Sequence, residues 1–488
     1  MTFSMVRVLA YVLAIVGTSL LLPFAAALKW DSLRSALAFG VPMAVTWLAA
    51  LFCRIRGRRA GDARPLSIQN AFLAVGATWI AIGVFGALPF YLSGAFPDVV
   101  DALFESVSGF TTTGATVCPD VEALPRSVNL WRCQTHWLGG MGVIALCVAL
   151  IPLLGVGGFR MIKAETTGPE KGKVTARISS TAKLLWLVYA GLTAAQFALL
   201  HMFGMDAFDA LCHAFSTLGT GGFSTRNASI GAFGSPAVEW TCTVFMLLAS
   251  VNFALYCSLL SGRVADVFRD SEFRTFVGLV LVAIWGVVLV ERGCYASLAE
   301  TLRGSAFQVA SVVSTTGFMT ADYASWHPVA QAVLFALFFT GGCSGSTAGG
   351  IKVIRWTILW KQVENEFRRL LHPHGVFTIR LNGQPGRESF VPLVGAFLFL
   401  YFVLVFITTV AGALAGLDLT TAFTGALSMV GNVGPAFGRL GPTENCGFLH
   451  PALKCWYAFA MIAGRLEIYT VLILLGGLFA RHRRADRS

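Results

Sequence analysis

Long apolar runs dominate the chain and recur at the length of a membrane crossing. Met5–Leu28, Leu66–Tyr91 and Phe390–Leu414 are examples, each near the ~20 residues that cover a ~30 Å hydrocarbon core. Two such helices come first, at 5–28 and 35–53, and end in the basic stretch RIRGRRAGDARP. A signal peptide is the alternative reading of the first run, but no small-residue cleavage site follows and another apolar run comes at once. The pattern then repeats four times: a long apolar helix, a helix of about ten residues, a Gly/Thr-rich stretch and a second long helix. The short helices begin near Asp98–Asp101, Asp206–Asp209, Glu300 and Asp418. Too short to span, they are read as re-entrant.

This pattern predicts an all-α integral membrane protein with four pseudo-repeated helix–pore loop–helix units around one pore, plus two N-terminal helices. The divisions fall at 1–65 for the N-terminal pair, then 66–160, 161–265, 266–375 and 376–488 for the four repeats. The repeat is concrete in the glycine-rich stretches, SGFTTTGAT at 108–116, STLGTGGFS at 216–224, SVVSTTGFM at 311–319 and SMVGNVGPA at 428–436. In each, a serine lies six residues before one glycine: Ser108/Gly114, Ser216/Gly222, Ser311/Gly317 and Ser428/Gly434. The glycines are 108, 95 and 117 residues apart, about two spans plus a re-entrant helix each time.

Such segments suit a dehydrated cation, whose lost water is replaced by rings of backbone carbonyls. Carbonyls point the same way only where backbone handedness alternates, which glycine allows without steric cost. The candidate ion filter is Thr112, Thr113 and Gly114; Thr220, Gly221 and Gly222; Thr315, Thr316 and Gly317; and Asn432, Val433 and Gly434. The alternative, glycines that merely let helices pack closely, fits one copy better than four in register. The four serines read as pore-helix structure rather than ligands. Acidic residues gather on the predicted outer side (Asp98, Asp101, Asp120, Glu122, Asp206, Asp209, Asp322 and Glu444) and read mostly as helix caps and solvated groups that concentrate cations there.

Composition sharpens the membrane assignment. The 488 residues are 56% hydrophobic and 12% charged, about half the charge of a soluble domain. Net charge is +11, yet 26 of the 36 Lys and Arg fall on segments assigned to the cytoplasm, nine outside, and Arg465 within a span. That asymmetry predicts both termini in the cytoplasm and reads the basic patches as topology signals, not nucleic-acid sites. The 11 cysteines form no CxxC pair, so neither zinc nor a disulfide framework is signalled; Cys118, Cys294 and Cys446 are placed outside, without an expected bridge.

A second candidate element is TGGCSGSTAGG at 340–350, which interrupts the second helix of unit three and is too glycine-rich for unbroken helix. The candidate gate is Gly341, Gly342, Ser344, Gly345, Ser346, Thr347, Gly349 and Gly350, expected to cross the pore beneath the filter. Arg465 and Glu467 stand in the apolar stretch 454–480, where charge is costly and marks function or pairing. Arg465 is expected to hydrogen-bond the loop's carbonyls; the alternative is an Arg–carboxylate pair that ties helices together.

With the filter stretches, WLGGMGVI at 137–144, NFALY at 252–256, GGCSGSTAGGIKVIR at 341–355 and GRLEIYT at 464–470, the sequence resembles the Trk/Ktr/HKT superfamily of cation transporters over nearly its whole length. The two extra N-terminal helices favour its TrkH type over the shorter KtrB type. The resemblance implies potassium uptake across a bacterial inner membrane, a homodimer with one pore per subunit, and a TrkA-like cytosolic ring that carries the nucleotide; this chain needs no organic cofactor. It maps the filter glycines, a gating loop at 341–350 and a gate arginine at Arg465. In that superfamily a serine at the first filter glycine accompanies sodium preference, so the resemblance implies that Gly114 favours potassium, whereas Asn432, Val433 and Pro435 make the fourth filter depart from the others.

Two rivals come from other classes. GCSG at 342–345 has the form of an intramembrane serine protease with Ser344 as nucleophile, which needs a histidine in reach; no histidine is placed there. Obligatory coupling to protons or sodium needs intramembrane carboxylates or histidines, and Glu467 is the one convincing buried candidate. The segments 156–183 and 352–387 are candidate docking surfaces for the regulatory partner.

Overall fold

The computed structural model describes residues 3–58, 68–153, 174–293, 295–382, 384–385, 390–468 and 470–471. Residues 59–65 of the first basic stretch, 156–173 of the segment 156–183, residues 383 and 386–387 of the segment 352–387, Cys294 and the tail after 471 lie outside them. The first apolar run is two helices, Phe3–Ser19 and Leu21–Trp30, and the next is Leu33–Arg58. They pack on one another and on the first helix of unit one, Ile68–Leu92. Among the described residues, six helical stretches are long and apolar enough to cross a membrane. Their exposed faces carry large apolar side chains such as Val282, Trp285 and Leu289, which suits a lipid solvent.

The four short helices are Val99–Phe110, Ala207–Leu218, Leu298–Val313 and Leu419–Gly431. Each starts where a side chain satisfies a free helix-start amide. Asp98 accepts from Val100 N at 2.7 Å, Asp206 from Phe208 N at 3.1 Å, and Asp418 from Thr421 N at 3.0 Å. Ser297, not Glu300, caps the third by accepting from Glu300 N at 3.2 Å; that helix is 16 residues long, against the ten expected. All four are buried along most of their length.

The second helices differ from the reading above. A break was expected in unit three alone, but units two and four break as well. In unit two, Pro236–Ser250 and Phe253–Leu260 meet at 94°. Val251 is extended there and Asn252 restarts the helix by accepting from Ala254 N at 2.9 Å. In unit three the helix Pro328–Leu337 stops well before Val353–Leu371 begins. In unit four Pro451–Arg465 ends at the arginine, and Glu467 and Ile468 follow with φ of 55° and 46°. Beyond the helices, the described residues include one two-residue antiparallel pair, Arg380–Leu381 with Gln384–Pro385.

Candidate ion filter and gate

The four glycine-rich strands form a closed ring. A side chain built on Gly114 would fall onto the carbonyl oxygen of Gly221, on Gly222 onto that of Thr316, on Gly317 onto that of Val433, and on Gly434 onto that of Thr113. Unit one therefore faces two, two faces three, three faces four, and four faces one. All four glycines also line one cavity of ≈ 130 Å³, with Arg226, Asn227 and Glu444 at its mouth.

Backbone handedness alternates along every strand. Thr112, Thr220, Thr315 and Asn432 have φ of 54°, 53°, 55° and 55°, and the glycines two positions on have 79°, 86°, 77° and 96°. Three threonines in the left-handed region are uncommon enough to need a local cause. The cause is the pore helix: Thr113 N, Gly221 N and Thr316 N each donate at 2.9 Å to the carbonyls of Ser108, Ser216 and Ser311, and Val433 N to that of Ser428 at 3.0 Å. The repeated serines thus hold the turn through their backbone. The Ser311 and Ser428 hydroxyls donate to the Phe318 and Gly434 carbonyls at 2.6 and 2.9 Å. Each pore helix ends at its filter strand, so the negative end of its dipole lies at the ring.

The segment 341–350 lies against the filter. Thr220 Oγ1 donates to Thr347 O at 2.9 Å, and Gly349 N donates to Thr315 Oγ1 at 2.6 Å. Its other partners come from far along the chain. Cys343 N donates to Ser250 O at 2.8 Å, a carbonyl freed by the bend in unit two. Thr347 Oγ1 reaches Leu218 O and Ala249 O at 3.0 and 3.1 Å. Ser344 N donates to Glu272 Oε1 at 2.6 Å. Arg465 Nη1 donates to Thr347 O at 2.8 Å, while Lys352 Nζ donates to Ala348 O. Gly341 N donates to Ile351 O, and Ser346 Oγ to Cys343 O. Gly342 is buried, and Gly345 and Gly350 take φ of 71° and 66°.

Glu467 corrects the sequence reading. It is half exposed and pairs with Arg355 at 2.6 Å, not with Arg465. Other carboxylates are buried: Glu105, Asp209 and Glu239 pair with Arg132, Arg226 and Arg303 at 2.7, 2.7 and 2.8 Å, Glu272 accepts from Ser344 N and Ile354 N, and Glu291 accepts from His327 N at 2.9 Å. The mouth carboxylates are caps and partners too; Asp101 takes Lys454 at 2.6 Å. Asp120 accepts from Asn227 Nδ2 and Glu122 N, which holds its carboxyl below the ordinary carboxylate range. Ser344 has a carboxylate, not a histidine, for its neighbour. His136 and His213 are buried elsewhere, donating from Nδ1 to Gly109 O and Asp209 O, and His327 and His450 cap helices. Cys118 and Cys446 are buried free thiols.

Sequence reasoning missed Glu105, Arg132, His136 and Lys352. Lys352 was read as a topology charge, though it sits beside the one glycine-rich break in the sequence.

Four re-entrant helices that close their loops into one ring define a polytopic membrane protein of the pore-loop class. Within that class the chain belongs to the TrkH family of cation transport proteins, whose model matches residues 45–478; this is a transporter family, not an enzyme family. The chain is 42% identical to the Trk system potassium uptake protein TrkH of Escherichia coli over 424 residues, 85% of this chain and 87% of that one. It is 37% identical to TrkH of Vibrio parahaemolyticus over 490 residues, 98% of this chain and 99% of that one. The crystal structure of the potassium transporter TrkH from Vibrio parahaemolyticus superposes with a TM-score of 0.87 at 34% identity, covering 97% of this chain and 98% of that one.

Proposed function

We propose that this chain takes up potassium across a bacterial inner membrane, by conduction through the ring of Gly114, Gly222, Gly317 and Gly434. The closed ring with its alternating handedness carries the reading: it offers stacked carbonyl oxygens in place of water. The names of the relatives supply the ion. In this reading residues 341–350 are the gate and Arg465 holds it, since its guanidinium bonds the same loop carbonyl, Thr347 O, that Thr220 of the filter bonds. The positive charge there raises the barrier to a cation. The lysine and arginine asymmetry supports cytoplasmic termini. A homodimer and a TrkA-like nucleotide-binding ring complete the proposed assembly.

Conduction without obligatory coupling is favoured because Glu105, Asp209 and Glu239 are taken by arginines and the buried Glu272 and Glu291 are taken by backbone amides. A reversal potential that follows pH or sodium as well as potassium would overturn that part. The central test is growth of a potassium-uptake-deficient bacterium on limiting potassium. Wild type restores growth; Gly114→Ser, whose Cβ falls on the Gly221 carbonyl, leaks sodium or fails to restore growth. Wild type that reaches the membrane without restoring growth defeats the proposal.

A further inference from the structure

One position recurs behind the filters. Nine residues before the four filter glycines stand Glu105, His213, Gln308 and Gly425, all buried. Each side chain present reaches the strand leaving its own filter. Glu105 accepts from Thr116 Oγ1 at 2.8 Å and from Val117 N at 3.1 Å. His213 donates from Nδ1 to Asp209 O at 2.7 Å, which leaves Nε2 to accept from Ser224 Oγ at 2.8 Å. Gln308 Nε2 donates to Ala321 O at 3.1 Å. Gly425 has no side chain, and Leu440 fills the space in front of it.

The set is graded: an ion pair in unit one, neutral struts in two and three, none in four. The ion pair does more than brace its own strand. Arg132 binds Glu105 at 2.7 Å, and the two side chains are 1% and 0% exposed. The same guanidinium donates to Ser224 O at 3.2 Å and lies 4.2 Å from the ring of Phe223. Both belong to the strand leaving filter two, so one arginine spans two filters. Leaving one member of such an enclosed pair alone is costly, and that cost falls on the strands the pair braces.

A carbonyl ring favours one cation over another only while its oxygens keep their number and spacing. We infer that Glu105, His213 and Gln308 are positioning residues for ion discrimination, with the Glu105–Arg132 pair setting the spacing of filters one and two. The inference rests on the potassium-uptake reading. A role in folding alone would leave the potassium-to-sodium ratio of folded protein unmoved.

The test is that ratio, measured by ion flux into liposomes holding the purified full-length chain. Glu105→Gln keeps the shape and strands Arg132; its ratio falls by about tenfold, the scale of a lost hydrogen bond to a charged group. Gln308→Leu, a neutral strut, falls by about threefold. Glu105→Gln with Arg132→Gln has neutral groups throughout and lies closer to wild type than Glu105→Gln alone. Should Glu105→Gln not fold, Gln308→Leu decides. A wild-type ratio in folded Gln308→Leu, or in Glu105→Gln where it folds, overturns the inference while leaving potassium uptake standing. Wild type that carries no potassium overturns both.

Discussion

The filter strands and the 341–350 segment are both short, glycine-rich and buried, yet they are held in opposite ways. The filter's turn-closing bonds are local: the amide before each filter glycine (the Asn432 strand included) reaches a carbonyl five residues back in its own pore helix. The 341–350 segment takes its partners from Leu218, Ala249, Ser250, Glu272, Thr315 and Arg465. Local bonds persist as long as the helix persists. Distant ones are lost together when the elements that supply them shift, which is how segments of low local stability arise. Glycine content sets what a backbone can do; the origin of its partners sets whether it stays there.

The largest expected effect breaks the filter side of that contrast. Gly222→Ala puts a Cβ against the Thr316 carbonyl at φ 86°. The strain and the overlap have no flexible neighbour to absorb them, so the strand must leave the ring. Rubidium uptake by cells expressing the variant is expected to fall to background, about a hundredfold, at normal membrane levels. Uptake near wild type would show that the ring is not the ion path.

The next effect lies on the other side and has the opposite sign. Arg465→Ala removes the donor to Thr347 O and a full positive charge. Flux is expected to rise about tenfold, the scale of one charge-assisted hydrogen bond, with the potassium-to-sodium ratio unchanged. Unchanged flux would remove Arg465 from gating without touching the filter. A changed ratio would mean that filter and loop are one unit, contrary to the contrast.

The same contrast explains what could be read in advance. Gly114, Gly222, Gly317 and Gly434 stand out in the sequence because local bonding repeats a local motif four times. The order in which the units close, and the carbonyl each glycine faces, depend on packing that no local pattern encodes. The break at Val251–Asn252 was hidden for the same reason: the carbonyls of Ala249 and Ser250 are released to a segment more than ninety residues away. Glu467 misled because apolar neighbours suggest burial, whereas the helix ends at Arg465 and turns the carboxylate outward to Arg355. Glu105 was within reach. Its register, nine before the filter glycine, repeats at His213 and Gln308, but the residue types differ, so a search for like residues passes over it.

The smallest effect isolates the mouth from both segments. Asn227 donates to Asp120 at 2.8 Å and keeps its carboxyl below the ordinary carboxylate range. Asp120 therefore remains charged as the pH falls through about 4, where a free aspartate takes up its proton. Asn227→Ala returns the group toward that ordinary value, so the variant loses negative charge at the mouth at a higher pH than wild type does. By the same sign, any stability this charge lends is present above the unfolded value and is lost as the pH falls through the lower folded one. Asp120 is exposed, so solvent and salt screen its pull on an arriving cation. Initial rubidium uptake at low potassium is expected to drop less than about twofold near pH 4 and to match wild type above about pH 6. The substitution also removes the acceptor for Val121 N, and the ion ratio separates the two losses: charge alone changes supply to the filter and leaves its preference intact. A ratio that moves, or a pH profile that does not, would place Asn227 with the filter's supports rather than with the mouth.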